Sequence, residues 1–220
     1  MEKNVIAKIV LLGDGAVGKT SLVRRFVKDE YSDEYISTIG SKTSKKEIVY
    51  SDMVEDLVIN LKLIIVDIHG QKTFSKLHAS NYMGSKGAML VFDMTRKETL
   101  DNISDWIDGL YDTVGEIPVI TLGNKYDLIS EFDEGVDGMD FDEFLREEHP
   151  QVIEFYDENP EFGEMPSFDR AEENEIEKIS GDINSNYFKT SAKTGENVED
   201  SFRMLGEKIL ESMIQKGGLR

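Results

Sequence analysis

The sequence predicts an α/β fold in which a mostly parallel sheet carries helices on both faces. Apolar runs of strand length alternate along the chain with segments whose apolar residues recur at helical spacing. The first run is followed directly by a glycine-rich loop and then by a helical pattern. With 220 residues, of which 39% are hydrophobic, the chain can form one domain with a sizeable core.

The predicted elements follow one another in a regular order. Residues 5–12 predict a buried first strand, and a helix follows the glycine-rich loop from Leu22. Further strands are predicted at residues 47–50, 57–66, 88–93, 118–123 and 187–189. Further helices are predicted across residues 100–110 and 198–213. A polar loop around Asp52 and Asp56 is expected to join the second and third strands.

The charge of the chain is very uneven. The formal net charge is −19, and residues 131–180 alone carry a net charge of −16. Nucleic acid and anionic membrane surfaces are poor partners for such a chain, and we expect no nucleic-acid partner. We interpret residues of about 129–185, called the acidic segment below, as an insertion into an otherwise nearly neutral domain.

The chain contains no cysteine, which excludes disulfides, thiol nucleophiles and cysteine-linked lipid anchors. Its longest apolar runs reach only strand length, and its first residues carry no long apolar stretch. We therefore expect neither a transmembrane segment nor a signal peptide. The expected protein is soluble and cytoplasmic, without a lipidation site.

Residues 13–20 carry the pattern Gly-x-x-x-x-Gly-Lys-Thr between a predicted strand and a predicted helix. In that context glycines let backbone N–H groups face inward and surround the α- and β-phosphates of a nucleotide. Lys19 then reaches the β- and γ-phosphates, and the hydroxyl of Thr20 is a ligand for Mg²⁺. The motif predicts a phosphate-binding loop.

The identity of the base is predicted from Asn124-Lys125-Tyr126-Asp127, which follows a predicted buried strand. The Asp127 carboxylate can accept from both N1–H and the N2 amine of guanine, whereas adenine has no donor at either position. A buried acceptor without a partner discriminates by roughly 10⁴–10⁵, so the motif favours guanine. Ser191-Ala192-Lys193, after the last predicted strand, can supply a backbone N–H to the guanine O6 and a hydroxyl that steadies Asp127.

Two further loops carry residues suited to the γ-phosphate. Asp67 follows the strand at residues 57–66 and can hold Mg²⁺ through water. The backbone N–H of Gly70 can sense the γ-phosphate, and Gln71 is placed to orient an attacking water. Thr38 lies in the loop before the second strand and carries no signal in isolation.

Taken together, these motifs resemble the Ras superfamily of small GTPases and most closely its Rab branch. They occur in the order of that family: the phosphate loop, Thr38, Asp67-x-x-Gly70-Gln71, Asn124-x-x-Asp127 and Ser191-Ala192-Lys193. The resemblance covers about residues 1–128 and 186–216. It implies one small GTPase (G) domain over residues 1–220, with a six-stranded mixed sheet, mostly parallel, and five main helices. The acidic segment would add a helical insertion.

The resemblance also implies a function, that of a Mg²⁺-dependent molecular switch that binds GTP and GDP and slowly hydrolyses GTP. It implies catalytic roles for Lys19, Gly70 and Gln71, and a Mg²⁺ site at Thr20, Thr38 and Asp67. The nucleotide would be contacted by the residues of these motifs and loops: Gly13, Asp14, Gly15, Ala16, Val17, Gly18, Lys19, Thr20, Ser21, Tyr31, Tyr35, Thr38, Gly70, Asn124, Lys125, Asp127, Ser191, Ala192 and Lys193. An effector, an exchange factor and a GTPase-activating protein would bind at two switch loops, residues 31–42 and 68–83.

Two departures from the family pattern suggest a divergent member, for example of archaeal type. The end of the chain has no cysteine for a lipid anchor, and His69 stands where the family usually has alanine beside the γ-phosphate. An imidazole is bulkier and titrates near neutrality. His69 keeps open an alternative function, a module or scaffold that binds GTP or GDP with little turnover and acts through the acidic segment.

The acidic segment contains seven of the twenty aromatic residues of the chain. Disordered acidic tails are poor in aromatics, so we expect part of the segment to fold onto the domain, away from the phosphates. Short helices are predicted from Asp140 to just before Pro150 and over residues 168–180, the latter ending at Gly181. Three roles stay open: a docking surface for a basic partner, a packed decoration, or a Ca²⁺ site ending at Glu143.

Overall fold

The structure is a computed structural model that describes residues 1–32, 41–54, 56–68, 75–135, 139–162 and 170–218. These residues form one six-stranded sheet with the order β2-β3-β1-β4-β5-β6. Its strands are β1 (Glu2–Leu12), β2 (Ser41–Val54), β3 (Leu57–Ile68), β4 (Gly87–Asp93), β5 (Val119–Asn124) and β6 (Asn186–Lys189). Strand β2 is antiparallel to β3 and all other neighbours are parallel. The predicted mixed, mostly parallel sheet is confirmed.

Helices connect the strands and flank the sheet. They are α1 (Lys19–Lys28), α2 (Ser75–Tyr82), α3 (Lys97–Asp101), α4 (Ile103–Val114), α5 (Tyr126–Gly135), α6 (Phe141–Glu148), α7 (Pro150–Glu158), α8 (Glu173–Asp182) and α9 (Val198–Gln215). Within the part of the chain that the structure describes, no helix has both the length and the apolar character needed to cross a membrane.

Two hydrophobic cores lie on the two faces of the sheet. Helices α1 and α9 cover one face, where Phe26 stacks on Phe202 with 3.9 Å between ring centroids. Helices α4, α5, α6 and α8 cover the other face through buried side chains that include Trp106, Phe144 and Ile176. The prediction of helices on both faces is therefore confirmed.

The hairpin of β2 and β3 is longer than the sequence predicted. Strand β2 begins at Ser41 and pairs with β3 until Val54 lies opposite Leu57, with a register irregularity after Tyr50. The prediction of a polar loop around Asp52 and Asp56 was wrong. Strand β2 runs to Val54 and β3 begins at Leu57, so Asp52 lies in a strand. Asp56, with φ +58°, lies in the short connection between them. The first residues of β2 are mostly exposed, so no apolar alternation marked them as a strand.

The acidic segment folds into helices that join the second core. Helix α6 begins where predicted, because the Asp140 side chain accepts from the Glu143 backbone N–H at 2.8 Å. Helix α8 begins later than predicted, at a capping box formed by Glu172 and Glu175, and ends at Asp182. Helix α7 was not predicted, because Pro150 was interpreted only as a stop although proline is also favoured in a first helical turn.

Candidate functional site

The glycine-rich loop lies between the end of β1 and the start of α1 and packs closely against β4 and β5. Gly13 has φ +137°, and a Cβ at this position would lie 1.9 Å from the carbonyl oxygen of Val91. Gly18 has φ +93°, and its Cβ would lie 2.1 Å from Nδ2 of Asn124. Both positions require glycine for conformation and for space, and the loop therefore sits directly on the ends of β4 and β5.

Lys19 closes this loop on itself. Its Nζ donates to the carbonyl oxygens of Gly13 at 2.8 Å and Asp14 at 2.6 Å, and the residue is buried. Burial lowers the pKa of Lys19 from 10.5 to about 8, and the negative charges of Asp67 and Asp14 oppose that shift. A desolvated ammonium that donates to these neutral carbonyls would gain from charged phosphate oxygens.

Thr20 and Asp67 are brought together although they lie on different elements. The Thr20 hydroxyl, in the first turn of α1, donates to Oδ2 of Asp67 at the end of β3 across 2.6 Å. Both contribute the oxygen donors that Mg²⁺ prefers, and Mg²⁺ is usually bound by one or two such groups plus water and substrate phosphates. The residues present therefore fit this ion, although within the described ranges no group of three or more potential ligands forms a preassembled metal cluster.

Asn124 connects the glycine-rich loop to the loop after β6. Its Nδ2 donates to the carbonyl oxygen of Val17 at 2.8 Å. Its Oδ1 accepts from the backbone N–H of Ala192 at 3.2 Å and from the Thr190 hydroxyl at 3.4 Å. Since Asn124 is almost fully buried, these hydrogen bonds hold three separate segments in fixed relation at one edge of the sheet.

Lys125 and Asp127, which belong to the same motif as Asn124, have different neighbours in the structure. Asp127 lies in the first turn of α5 and is 7% exposed. Lys125 has φ +64°, and its Nζ lies 2.7 Å from Oδ2 of the fully buried Asp93. Burial alone would raise the pKa of Asp93, but the positive charges of Lys125 and Arg96 hold it well below its usual range.

The segment from Ser191 to Lys193 is held by contacts that the sequence did not reveal. The Ser191 hydroxyl accepts from the Thr194 backbone N–H at 3.0 Å, so the contact proposed between Ser191 and Asp127 stays a prediction. Arg25 on α1 donates from Nε to the Ala192 carbonyl oxygen at 2.9 Å. No sequence motif indicates this role for Arg25, because its partner lies 167 residues further along the chain.

The Asp14 carboxylate in the glycine-rich loop accepts two hydrogen bonds that the sequence did not predict. Its two carboxylate oxygens accept from Nε1 of Trp106 at 2.8 Å and from Nδ2 of Asn102 at 2.6 Å. The indole ring is also part of the second core, and a buried indole N–H usually has a hydrogen-bond partner. That rule was the available signal that Trp106 does more than fill the core.

Arg96 makes a further contact with the loop. Its Nη2 donates to the carbonyl oxygen of Gly15 at 2.9 Å, and its Nε lies 3.2 Å from Oδ2 of Asp93. The guanidinium is nearly inaccessible to solvent. Arg96 therefore joins the glycine-rich loop to the end of β4, a role that no sequence motif indicated.

The remaining predicted residues divide into two groups. Ala16 has φ +60°, Ser21 lies in α1, and Tyr31 is 38% exposed. The predicted residues that lie outside the described ranges are Tyr35, Thr38, Gly70 and Gln71, together with His69. The nucleotide contact of Tyr35 and the roles of the others at the γ-phosphate stay predictions from the sequence.

The described residues form one constellation at the carboxyl ends of the parallel strands. A buried cation, a glycine-rich loop with φ angles that only glycine adopts easily, and a Thr–Asp oxygen pair lie on one side. The Asn124 to Asp127 motif and the loop from Ser191 to Lys193 lie on the other side, joined by Asn124. This edge of an open parallel sheet is where ligands bind, and its chemistry suits a polyphosphate attached to a purine.

Comparisons with known proteins agree with this geometry. The chain matches the family model described as Ras family across residues 8–211. It is 34% identical over 203 residues to GTP-binding protein YPT53 of Saccharomyces cerevisiae, which covers 92% of this chain and 76% of that protein. It is 32% identical over 211 residues to GTP-binding protein ypt5 of Schizosaccharomyces pombe, covering 94% and 81%. A shorter match, 35% identical over 132 residues, relates 58% of the chain to 62% of Ras-related protein Rab-7a of Dictyostelium discoideum.

Proposed function

This chain belongs to the Ras family of small GTPases, and from that premise we propose that it is a Mg²⁺-dependent molecular switch that hydrolyses GTP to GDP and phosphate. Membership makes it a Rab-like, guanine-nucleotide-binding GTPase. Metal dependence, slow turnover and nucleotide-dependent switching are the parts that go beyond membership. Each of them rests on residues that the sequence analysis singled out.

The observation that carries the proposal is the position of Asn124. This side chain donates to the Val17 carbonyl oxygen in the glycine-rich loop and accepts from the Ala192 backbone N–H. It therefore holds the glycine-rich loop, where phosphates would bind, at a fixed distance from the loop after β6, where the base would bind. A free-standing phosphate loop would not require such a connection, whereas a nucleotide spans both sites.

In the proposed mechanism, catalysis consists of positioning and electrostatic stabilisation. Lys19 would release the Gly13 and Asp14 carbonyl oxygens and donate to the β- and γ-phosphates instead. The loop N–H groups would share the phosphate charge, while Thr20 and Asp67 would hold the metal directly and through water. Mg²⁺, when bound, supplies positive charge that neutralises the phosphate oxygens. Gln71 would orient the attacking water, and Gly70 would donate its N–H to the γ-phosphate.

The alternative is a module or scaffold that binds GTP or GDP with little turnover and acts through the acidic segment. The feature that favours it is His69, which stands in the sequence two positions before Gln71, where the family usually has alanine. The two functions share the nucleotide site and differ only in turnover, so a kinetic experiment separates them.

The experiment is single-turnover hydrolysis of GTP by the purified full chain, compared with Gln71→Leu. We expect a parent rate on the order of 10⁻⁴–10⁻² s⁻¹, because no arginine that could stabilise the transition state was identified in the sequence. Gln71→Leu should slow hydrolysis further and leave GDP affinity nearly intact. Equal, negligible hydrolysis by both proteins would favour the alternative function. His69→Ala is the matched variant, and faster hydrolysis by it would show that the imidazole restrains the reaction.

The binding of partners at residues 31–42 and 68–83 would depend on whether GTP or GDP is bound. We propose that an effector, an exchange factor and a GTPase-activating protein bind there, as in the family. Protein loaded with a GTP analogue should retain effectors that GDP-loaded protein does not. Identical hydrogen exchange of these two regions in both states would contradict switching. A basic partner for the acidic segment stays a prediction from its charge.

A further inference from the structure

Tyr156 of helix α7 lies against the motif that we assign to the base, although it belongs to the acidic segment. Its hydroxyl accepts from Nζ of Lys125 at 3.4 Å, and the centre of its ring is 5.6 Å from that nitrogen. The guanidinium carbon of Arg96 lies 5.2 Å from the same ring centre. The ring is 4% exposed and the Arg96 side chain 3%, whereas the Lys125 side chain is 23% exposed.

The two cations under Tyr156 share one buried carboxylate. Asp93 is fully buried, with Nζ of Lys125 at 2.7 Å and Nε of Arg96 at 3.2 Å from its Oδ2. Glu98 also lies 3.6 Å from Arg96, but it is half exposed and water weakens its attraction. The negative face of the aromatic ring supplies the further stabilisation that a second desolvated cation needs.

This cluster is connected to both halves of the nucleotide site. Arg96 donates from Nη2 to the carbonyl oxygen of Gly15 in the glycine-rich loop. Lys125 directly follows Asn124, whose side chain joins the two halves. A shift of Arg96 therefore acts on the phosphate loop and a shift of Lys125 on the base motif, and the two cations are linked through Asp93.

A second, independent contact attaches the start of α7 to the base site. His149, the residue before α7, has Nε2 2.9 Å from Oε2 of Glu131, a close approach without hydrogen-bond geometry, since this nitrogen has no hydrogen-bond partner among the described residues. The other oxygen of Glu131 lies 3.2 Å from Nζ of Lys193. Helix α7 thus contacts the Asn124 motif through Tyr156, and its preceding residue, His149, lies beside Glu131, which pairs with Lys193. The sequence predicted only that the acidic segment lies away from the phosphates, and the contact of Tyr156 is with Lys125 of the base motif.

We propose that Tyr156 is a positioning residue for the nucleotide site: its ring holds Lys125 and Arg96 on Asp93 and thereby slows the release of bound guanine nucleotide. This inference rests on the proposed function, because it requires a guanine nucleotide in the site. It assigns to the acidic segment a direct part in how long the nucleotide stays bound. Tyr156 acts through the two cations and need not touch the nucleotide itself.

The test is the release of radiolabelled GDP from the purified full chain, measured by filter binding in excess unlabelled GDP with Mg²⁺ present. Tyr156→Leu keeps apolar bulk but removes the ring face, and we expect GDP to leave about tenfold faster, as the loss of a desolvated cation–π contact implies. Tyr156→Phe keeps the ring over both cations and should restore slow release to within about threefold of the parent. Ile153→Ala, a half-buried position on the same helix, is the matched control and should leave the rate unchanged.

Two results would overturn the proposal while leaving the proposed function intact. One is a Tyr156→Leu protein that releases GDP at the parent rate. The other is an Ile153→Ala protein that releases it as fast as Tyr156→Leu, because the effect would then come from loosening α7 as a whole. A parent chain that retains no GDP on the filter would overturn both proposals together.

A double-mutant cycle tests the route of the effect. In a Lys125→Met background one of the two cations is already gone, so Tyr156→Leu should accelerate release by about threefold or less. A full tenfold acceleration in that background would show that the ring does not act through Lys125, and would overturn the proposal.

Discussion

The Thr20 hydroxyl donates to Oδ2 of Asp67 across 2.6 Å, which joins the first turn of α1 to the end of β3. The contact crosses 47 positions of sequence, so only the sheet brings the two residues together. It places two oxygen donors beside Lys19, whose buried ammonium is attracted by the same Asp67 carboxylate. The Asp67 carboxylate therefore offsets part of the burial cost of the Lys19 charge.

Asp67→Asn should weaken the binding of Mg²⁺ to the GDP complex by about 10–100-fold, the usual effect of losing a group that holds a metal through water. The amide keeps the size of the side chain but loses its negative charge. The measurement is the GDP release rate as a function of free Mg²⁺ concentration. The Mg²⁺ concentration that gives half of the full effect on this rate, the midpoint, should be higher in the variant. Asp52→Asn, an exposed position on β2, is the control. An unchanged midpoint in Asp67→Asn would contradict the assignment of the metal site.

Asp127→Ala should destroy the preference for guanine, because it removes the acceptor for N1–H and the N2 amine. Asp127→Asn should shift preference toward xanthine nucleotides, since its amide can donate to the O2 of xanthine. Competition of GTP, ATP and xanthosine triphosphate for the site measures both effects. Asp133→Asn, on the same helix but paired with Arg170 at 2.8 Å, should keep the parent preference. Equal affinity of the parent for GTP and ATP would refute the base assignment.

The lowered pKa of Lys19 predicts how nucleotide affinity depends on pH. In the nucleotide-free protein Lys19 loses its proton above about pH 8 because it is buried. Phosphates raise the pKa again, so binding above pH 8 must take up a proton and affinity must fall as pH rises, by at most tenfold per pH unit. Calorimetry of GDP binding at pH 9 in two buffers of different ionisation enthalpy should detect this uptake.

Lys19→Met is the control for the pH effect. Without an ammonium it should bind GDP much more weakly and with no proton uptake between pH 8 and 9. A GDP affinity of the parent protein that rises between pH 8 and 9 would contradict the prediction. Affinity must fall with pH if the bound state is the one that holds Lys19 protonated.

Trp106→Phe should lower the free energy of unfolding by about 1–3 kcal/mol, the cost of leaving a polar partner unsatisfied. The change removes the indole N–H that Asp14 accepts at 2.8 Å. Chemical denaturation of the GDP-bound protein measures the loss. Tyr111→Phe, on the same helix and with a weaker contact of 3.4 Å to the Ile117 carbonyl oxygen, should cost less. An Asp14→Ala, Trp106→Phe double variant should be less destabilised than the two single changes together.

The sequence predicted those parts of the site whose chemistry is local. The glycine-rich loop, Thr20 and Asn124 each lie at the end of a buried strand or the start of a helix, and both features leave a clear pattern. Since the carboxyl ends of parallel strands share one edge of the sheet, predicting the strands also predicted that these residues would meet. The structure brings Thr20 to Asp67 and Asn124 to the loop after β6.

The contacts that were missed join residues far apart in sequence. Arg25 to Ala192 and Tyr156 to Lys125 depend on how helices pack, and no periodicity encodes such pairs. The early part of β2 was missed for a different reason. Its residues are mostly exposed although they pair with β3, so the sequence does not show the alternation that marks a half-buried strand.

Trp106 has one more consequence, because it is the single tryptophan of the chain. Its indole N–H donates to the Asp14 carboxylate in the glycine-rich loop, so the ultraviolet emission of the unmodified protein arises within hydrogen-bond distance of the proposed phosphate site. A change of charge in that loop should shift the wavelength and intensity of this emission. The exchange of one nucleotide for another could then be followed optically, with neither a dye nor a labelled ligand.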